Sequence, residues 1–393
     1  MVGGRGELLP PTQISKQMSN PQTFLAATNK SGRFVVIPHN WKAIFPHLLK
    51  DMKIYDKKLV INPESPNPPM MWIERQAGGY GDIIHALSAM EDKIAEFHEE
   101  FPDGIVQVGV PARHAFLVQQ LKAEIVHTDK ESRNWTEEKF YDSRIHIQLL
   151  CPCDDHEIET KYAVTKSRVE IFYETCGVKG AVRQPKLKLK SRAPNPFPKD
   201  KKVIGICLRS IDRYKDWSMD RWFEVAKELQ NQGYYVVTFD KSEKFEGIPA
   251  LIGTTMEEVT QYLSWCDLVL APDTGPLFIA SALGVHTIGL FGKTSGYFLL
   301  MRNYKNAWAI QIQRPDKCIR PCYGSEDRNF YCEFAGFRGP STACMDDITV
   351  DHVVGMVWFL KKKVDFGSTR FDRVPDFYSY EGKKNNGNGH VSK

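Results

Sequence analysis

The stretch that decides the fold runs Leu268-Val269-Leu270-Ala271-Pro272-Asp273-Thr274-Gly275-Pro276-Leu277-Phe278-Ile279-Ala280-Ser281-Ala282-Leu283-Gly284, and continues to Thr287-Ile288-Gly289-Leu290-Phe291. Residues 268–270 form a short apolar run that reads as a buried strand. The turn Pro272-Asp273-Thr274-Gly275 ends it. Residues 277–283 are small and apolar, and read as a helix that stops at Gly284. Residues 287–291 read as the next strand. Strand, turn, helix and strand in succession are the unit of a parallel sheet with crossovers.

The same alternation extends upstream. Residues 203–208 read as a strand. Residues 220–232 read as a helix, with Trp222, Val225, Ala226 and Leu229 on one face. Residues 235–239 read as a strand, and 255–265 as a helix that opens on a Thr255/Glu258 capping box. A basic segment, 186–202, with Pro194, Pro196 and Pro198 in alternation, separates this region from an earlier one. There Met70–Ile73 reads as a strand and Gly78–Gly81 as a turn. Asp82 opens a helix whose Ile83, Leu87, Met90, Ile94 and Phe97 share a face. A strand at 105–110, a helix at 112–122, a strand at 145–150 and a helix at 162–176 follow.

The expected fold class is therefore α/β: two Rossmann-like, doubly wound domains facing across a cleft. The expected division is an N-terminal extension and Pro-rich linker (1–69), a first domain (70–185), a linker (186–202), a second domain (203–363) and a polar tail (364–393). Within the extension, Phe34–Ile37 reads as a short strand. Within the second domain lie a Cys-rich loop at 318–344 and a last helix at 350–362. Ligands of such sheets bind at the carboxyl ends of the strands.

Composition narrows the function. The 393 residues carry 52 Lys+Arg against 48 Asp+Glu, a net charge of +4 that is too small and too well mixed for a nucleic-acid-coating protein. Hydrophobic content of 42% and charged content of 25% are those of a folded soluble chain. No apolar run is long enough to span a membrane, and the first 30 residues lack the apolar core of a secretory signal. A cytoplasmic protein with reduced thiols is expected.

Three motifs carry chemistry. In Gly78-Gly79-Tyr80-Gly81-Asp82-Ile83-Ile84-His85 the glycines permit a sharp turn. The third glycine of a dinucleotide fingerprint is absent, and no ribose-holding acid follows the second strand, which disfavours a nicotinamide dehydrogenase. Asp82 is then either a helix cap or a carboxylate base held ionised at a helix N-terminus. Gly79, Gly81 and His85 would lie beside it, although His85 reads equally as packing. The second motif, Arg209-Ser210-Ile211-Asp212-Arg213-Tyr214-Lys215-Asp216-Trp217, offers Arg209, Arg213, Lys215 and the Ser210 hydroxyl to an anion, or is an ordinary basic loop. The third, Asp273-Thr274-Gly275, places backbone N–H groups at a helix start, where they suit an anion, or is a plain capped turn.

Occurring together and in this order, the three motifs resemble glycosyltransferase family 9, the lipopolysaccharide heptosyltransferase family. The resemblance rests on Gly79-Tyr80-Gly81-Asp82-Ile83-Ile84-His85, on Lys215-Asp216-Trp217 with Arg221-Trp222, and on Asp273-Thr274-Gly275 with Ala280–Gly284 and Leu290-Phe291-Gly292. It spans about residues 70–360. It implies a GT-B fold and an inverting transfer of heptose or a related hexose from a nucleoside-diphosphate sugar, with no catalytic divalent metal. It implies Asp82 as the catalytic base and Lys215 as the group that meets the leaving diphosphate. Arg209, Ser210, Asp273, Thr274 and Gly275 would bind the donor. The family's usual His, three residues after the glycine of Asp-Thr-Gly, is here Phe278. Two other readings share the architecture: a nucleotide-sugar epimerase, and a catalytically silent nucleotide-sugar-binding scaffold, for which Phe278 is the motive.

Nine cysteines cannot all pair within one chain, and four of them, Cys318, Cys322, Cys332 and Cys344, fall in one loop-rich segment. Four thiolates suit tetrahedral iron or zinc, and such a staple would order a loop poor in apolar periodicity. Ordinary reduced or disulfide-bonded thiols are the alternative. The resemblance favours metal, because an autotransporter heptosyltransferase branch of the family holds iron on four cysteines. The site would be structural. The expected partners are a nucleotide sugar and an acceptor, which is a saccharide, a protein hydroxyl or a modified nucleic acid. Through the cysteine segment, a homo-oligomer is also expected.

Overall fold

The computed structural model describes residues 68–75, 78–128, 145–149, 153, 156, 164–240, 242–312 and 343–363, and the backbone of four strands nearer the N-terminus. The first three of these, β1 (Phe24–Thr28), β2 (Phe34–Pro38) and β3 (Lys53–Tyr55), pair antiparallel in the order β2-β1-β3.

The first lobe is built from β4 (Leu59–Ile61), β5 (Met70–Glu74), α1 (Tyr80–Glu100), β6 (Ile105–Val110), α2 (Ala115–Val118), β7 (Glu124–His127), β8 (Ile145–Gln148) and α3 (Arg168–Cys176). Its sheet runs β4-β8-β5-β6-β7, parallel except for β4. β4 lies inside the stretch expected to be an extension, so the first sheet reaches back beyond residue 70. Its pairing with β8 is long-range and leaves no local pattern. The helix expected at 112–122 is shorter: a 3₁₀ turn at Ala112–His114 leads into α2. The helix expected from 162 begins at Arg168. Ser167 Oγ accepts from the Glu170 N–H (3.2 Å) while Glu170 Oε2 accepts from the Ser167 N–H (2.7 Å), a capping box that fixes this start.

The second lobe comprises β9 (Val203–Cys207), α4 (Met219–Asn231), β10 (Tyr235–Asp240), β11 (Ala250–Ile252), α5 (Met256–Leu263), β12 (Leu268–Pro272), α6 (Gly275–Leu283), β13 (His286–Phe291), β14 (Ala307–Gln311), α7 (Ala343–Asp346) and α8 (Val350–Lys363). Its six strands are all parallel, in the order β11-β10-β9-β12-β13-β14. Numbered within the lobe this is 3-2-1-4-5-6, the doubly wound order of dinucleotide-binding folds. The Thr255/Glu258 capping box read from the sequence is present: Thr255 Oγ1 accepts from the Glu258 N–H at 3.2 Å.

Alternation along each strand sends side chains to opposite faces of the second sheet. Ile204, Ile206, Leu268, Leu270, Ile288 and Leu290 meet Trp222, Val225 and Leu229 of α4 and Val353 and Val357 of α8. Cys207, Val269 and Ala271 face the other way, among Leu263 of α5 and Leu277, Ile279 and Ala280 of α6. That second core is continuous with Ile83, Ile84 and Leu87 of α1, so apolar packing joins the lobes through α1 and α6.

Candidate active site

In an open parallel sheet the binding crevice lies at the carboxyl ends of the two strands where the winding reverses. In the first lobe those strands are β5 and β8, and in the second they are β9 and β12. All three sequence motifs fall at these two points.

At the first, the chain leaves β5 through Arg75 and enters α1 with Gly79 as N-cap. Asp82 is the third residue of the helix rather than its first, and its Oδ2 accepts from the Gly79 N–H at 3.0 Å. The same oxygen lies 3.2 Å from Arg75 Nη2, while Oδ1 accepts from Arg168 Nη1 at 2.7 Å. Asp82 is therefore a helix-start acceptor and an ion-paired carboxylate at once. Burial alone would push its pKa up; Arg75, Arg168 and the Gly79 N–H outweigh this and hold it well below the usual carboxylate range. Arg75 is fixed in turn by donating to the Leu149 carbonyl, just past the end of β8. Arg168 comes from the first turn of α3.

The glycine this turn demands is Gly78, whose φ is +110°. A Cβ there would collide with Arg75 Nη2 and come within 2.9 Å of Asp82 Oδ2. At Gly79 a Cβ would meet only Asp82 Oδ2, at an ordinary 3.8 Å. Gly78→Ala is thus expected to destabilise by at least about 1–3 kcal/mol from backbone strain, with the guanidinium displaced besides. Gly79→Ala should be close to neutral. Paired thermal melts check the contrast.

Gly81 and Gly275 serve the joint between lobes. A Cβ on Gly81 would meet Phe278 Cδ2 at 2.7 Å, and one on Gly275 would meet Tyr80 Cβ at 3.0 Å. The N-termini of α1 and α6 therefore touch, and Phe278 is 5% exposed in that contact. Its ring lies against His85, centroids 4.5 Å apart. His85 Nδ1 is 3.5 Å from the Tyr304 hydroxyl, and its Nε2 has no partner among the described residues. Burial, followed by the charge of Arg168, outweighs the pull of Asp82 and lowers the His85 pKa to about 3, so the ring is neutral. Across the same joint Arg302 donates to both carboxylate oxygens of Glu170, at 2.8 and 2.6 Å.

A pH dependence follows from these groups. As pH falls below about 6.5, the unfolded chain binds a proton that folded His85 refuses, so stability declines toward pH 3. The low carboxylate pKa of Asp82 adds stability that is complete above about pH 4 and is lost only below it. His85→Phe should flatten the melting temperature between pH 6.5 and 4. The residual slope there reflects His286, whose pKa burial also lowers, and, toward pH 4, Glu74 and Glu170, whose carboxyl pKa values are held below the usual range.

At the second switch point Lys215 ends a 3₁₀ turn, Arg213–Lys215, in the loop after β9. Its Nζ lies 2.7 Å from Asp273 Oδ2. The same carboxylate oxygen accepts from Thr294 Oγ1 at 2.7 Å, and Ser210 Oγ donates to the Asp273 carbonyl at 3.0 Å. Burial raises the Asp273 pKa, but Lys215, Thr294 and, from the other lobe, Arg168 lower it further. Trp217 anchors the loop by donating from Nε1 to the Ile348 carbonyl at 3.0 Å. Thr274 is the N-cap of α6, with Gly275 first in the helix. Pro276 has no N–H and that of Leu277 is spent on the Thr274 carbonyl, so the turn can offer the amides of Thr274 and Gly275.

Lys215, Ser210, Asp273, Thr274 and Gly275 are thus brought together, and Asp82, Gly79, Gly81 and His85 stand opposite them. Arg209 is not in this group. It donates to Glu243 Oε1 at 2.7 Å and lies 3.8 Å from Asp240 Oδ2, at the end of β10. Arg75, Arg168, Lys293 and Thr294 were missed from the sequence. Lys293 and Thr294 directly follow the Leu290-Phe291-Gly292 strand end, which was the available signal.

Cys318, Cys322 and Cys332 lie outside the described residues. Cys344 is half-buried in α7 with its sulfur against Gly292, where a Cβ would come within 2.8 Å of it. Among the described residues no group of three or more His, Cys, Asp or Glu side chains could hold a metal ion, and no helix is long and apolar enough to cross a membrane.

Two doubly wound lobes meeting switch point to switch point have the fold of the GT-B glycosyltransferases. The chain belongs to glycosyltransferase family 9 (heptosyltransferase), whose model matches residues 115–320. Among solved structures it is similar to the ADP-heptose lipopolysaccharide heptosyltransferase II of E. coli, at 17% identity and TM-score 0.52 over 74% of this chain and 98% of that one. It is similar to a family 9 glycosyltransferase of Veillonella parvula, at 15% and 0.53 over 74% and 97%. It is also similar to the iron-containing dodecameric glycosyltransferase TibC of enterotoxigenic E. coli, at 13% and 0.59 over 87% and 92%. No curated protein sequence matches the chain.

Proposed function

We propose that this glycosyltransferase inverts the anomeric centre, uses no catalytic divalent metal, and moves a heptose or related hexose from a nucleoside-diphosphate sugar to an acceptor hydroxyl. The observation that carries this reading is the ionised Asp82 at one switch point facing the Lys215–Asp273–Thr274–Gly275 group at the other. Asp82 is the base that takes the acceptor proton as the oxygen attacks the anomeric carbon on the face opposite the diphosphate. With both oxygens paired it is a weak base. Arg168, the more exposed of its two guanidinium partners (24% against 8%), gives way to the acceptor, which frees Oδ1 and raises its basicity.

The departing diphosphate gains negative charge. Lys215 and the amides of Thr274 and Gly275 meet that charge, and Ser210 and Asp273 hold the lysine loop against the turn. An epimerase would need a second free acid or base across the cleft. Asp273 is the carboxylate in that place, and it is bound to Lys215 and Thr294. Phe278, packed between Gly81 and His85, holds the lobes together, which accounts for an apolar residue there without a loss of activity.

The neighbour heptosyltransferase named for ADP-heptose makes ADP-heptose the first donor to test. A thermal-shift panel of nucleotide sugars, followed by mass spectrometry of reaction mixtures and NMR of the product anomer, tests the reading. A stabilising nucleotide sugar and an inverted product that persist in EDTA support it; a retained anomer contradicts it.

Cys318, Cys322, Cys332 and Cys344 together would hold one iron or zinc ion as a structural staple; Cys344 lies beside Gly292, past the carboxyl end of β13. Near-stoichiometric iron or zinc in purified protein is expected. Less than about a tenth of an equivalent would remove the site. Assembly into a homo-oligomer, as TibC is named for, is checked by light scattering.

A further inference from the structure

Lys293 is a cation the motifs do not contain. It directly follows Gly292, past the carboxyl end of β13, and is 7% exposed. Long ammonium side chains are rarely so buried without a task or a partner. Its partner is Asp212, whose Oδ2 it reaches, with the Tyr214 ring centroid 5.7 Å from Nζ. Asp212 caps the turn that carries Lys215: its carbonyl accepts from the Lys215 N–H at 3.0 Å. The next residue, Thr294, donates to the carboxylate that holds Lys215. The two lysines therefore flank one turn, Lys215 paired with Asp273 of the turn after β12 and Lys293 with Asp212 of the loop after β9. Asp212 is the more exposed of the two aspartates, at 33% against 6%.

We infer that Lys293 is a second cation for the leaving diphosphate, stored on Asp212 until the donor arrives. This rests on the nucleoside-diphosphate donor proposed above. A diphosphate bears two charges in the donor and gains a third on departure, which one lysine matches poorly. Two lysines delivered from β9 and β13 would grip both phosphoryl groups across the β12 turn. Asp212 competes with the ligand for Lys293, so it weakens rather than aids binding.

The competition gives the test its sign. Wild type, Lys293→Met, Lys293→Arg, Asp212→Asn and Lys215→Met are titrated calorimetrically with ADP, GDP, UDP and CDP. For the nucleotide that binds wild type, Lys293→Met should weaken affinity about 10- to 100-fold, the range for a lost charge-assisted hydrogen bond. Lys293→Arg should recover part of it, and Asp212→Asn should bind equally well or tighter. If Lys293 only fastens the loop, removing either partner loosens it alike, and equal losses in Lys293→Met and Asp212→Asn overturn the inference. A loss in Lys215→Met with none in Lys293→Met also overturns it, while leaving the donor reading intact. If wild type binds none of the four, the donor reading fails and this inference fails with it.

Discussion

Asp82→Asn is expected to lower kcat by about 10²- to 10⁴-fold, the span of a general base. The affinity for nucleoside diphosphate should stay within a few-fold of wild type. Asn is the informative replacement, because its amide oxygen can still accept from the Gly79 N–H, whose bond to Asp82 is 3.0 Å. The helix start therefore survives while the charge is lost. Arg75, largely buried beside Asp82, then loses its carboxylate partner among the described residues, and the melting temperature should fall as well. The two losses are separable. Arg75→Met in the Asp82→Asn background should recover stability by removing the stranded charge and should recover no turnover. If the double variant regains activity along with stability, the role of Asp82 is structural.

Lys215→Met is expected to weaken nucleoside-diphosphate binding and to cut kcat by about 10²- to 10³-fold, as loss of one preorganised charge donor does elsewhere. The kcat effect should exceed the ground-state effect, since the diphosphate is more negative in the transition state than in the donor. The variant also removes the ion-pair partner of buried Asp273, leaving it the Thr294 hydrogen bond and the more distant charge of Arg168. Adding Asp273→Asn should restore the melting temperature without restoring affinity. Unchanged affinity in Lys215→Met would remove the lysine from the donor site.

The architecture was legible because it is written locally. Leu268–Leu283 shows strand, turn and helix within one short stretch, and Thr255 with Glu258 announces a helix start from four adjacent residues. Parallel strands buried on both faces leave apolar runs, and such runs located β9, β10, β12 and β13. Less was readable where partners are distant. β4 is three residues joined to β8 by long-range pairing. Arg168 reaches Asp82 across 86 positions of chain, and no local pattern marks it.

The glycine-rich turn is legible as a turn, but the sequence does not mark which of its glycines carries the strained conformation. Gly79 and Gly81 fit a fingerprint spacing, whereas the positive φ and the ion pair overhead fall on Gly78. Gly81 is needed for a different reason, the approach of Phe278 from the other lobe. Asp82 was posed as either cap or base; the fold lets one carboxylate contact the N-cap amide and two guanidinium groups together. For Arg209 the sequence showed a charge near the motif but not the acidic pair at the end of β10 that draws it aside.

The most direct test of Asp82 as the base of a nucleotide-sugar transferase is the release of ADP from ADP-heptose, with an acceptor extract present, by wild type and by Asp82→Asn at matched donor saturation. The expected result is steady release by wild type and at least a 10²-fold slower release by the variant, with ADP affinity preserved. Equal release by the two proteins would contradict it.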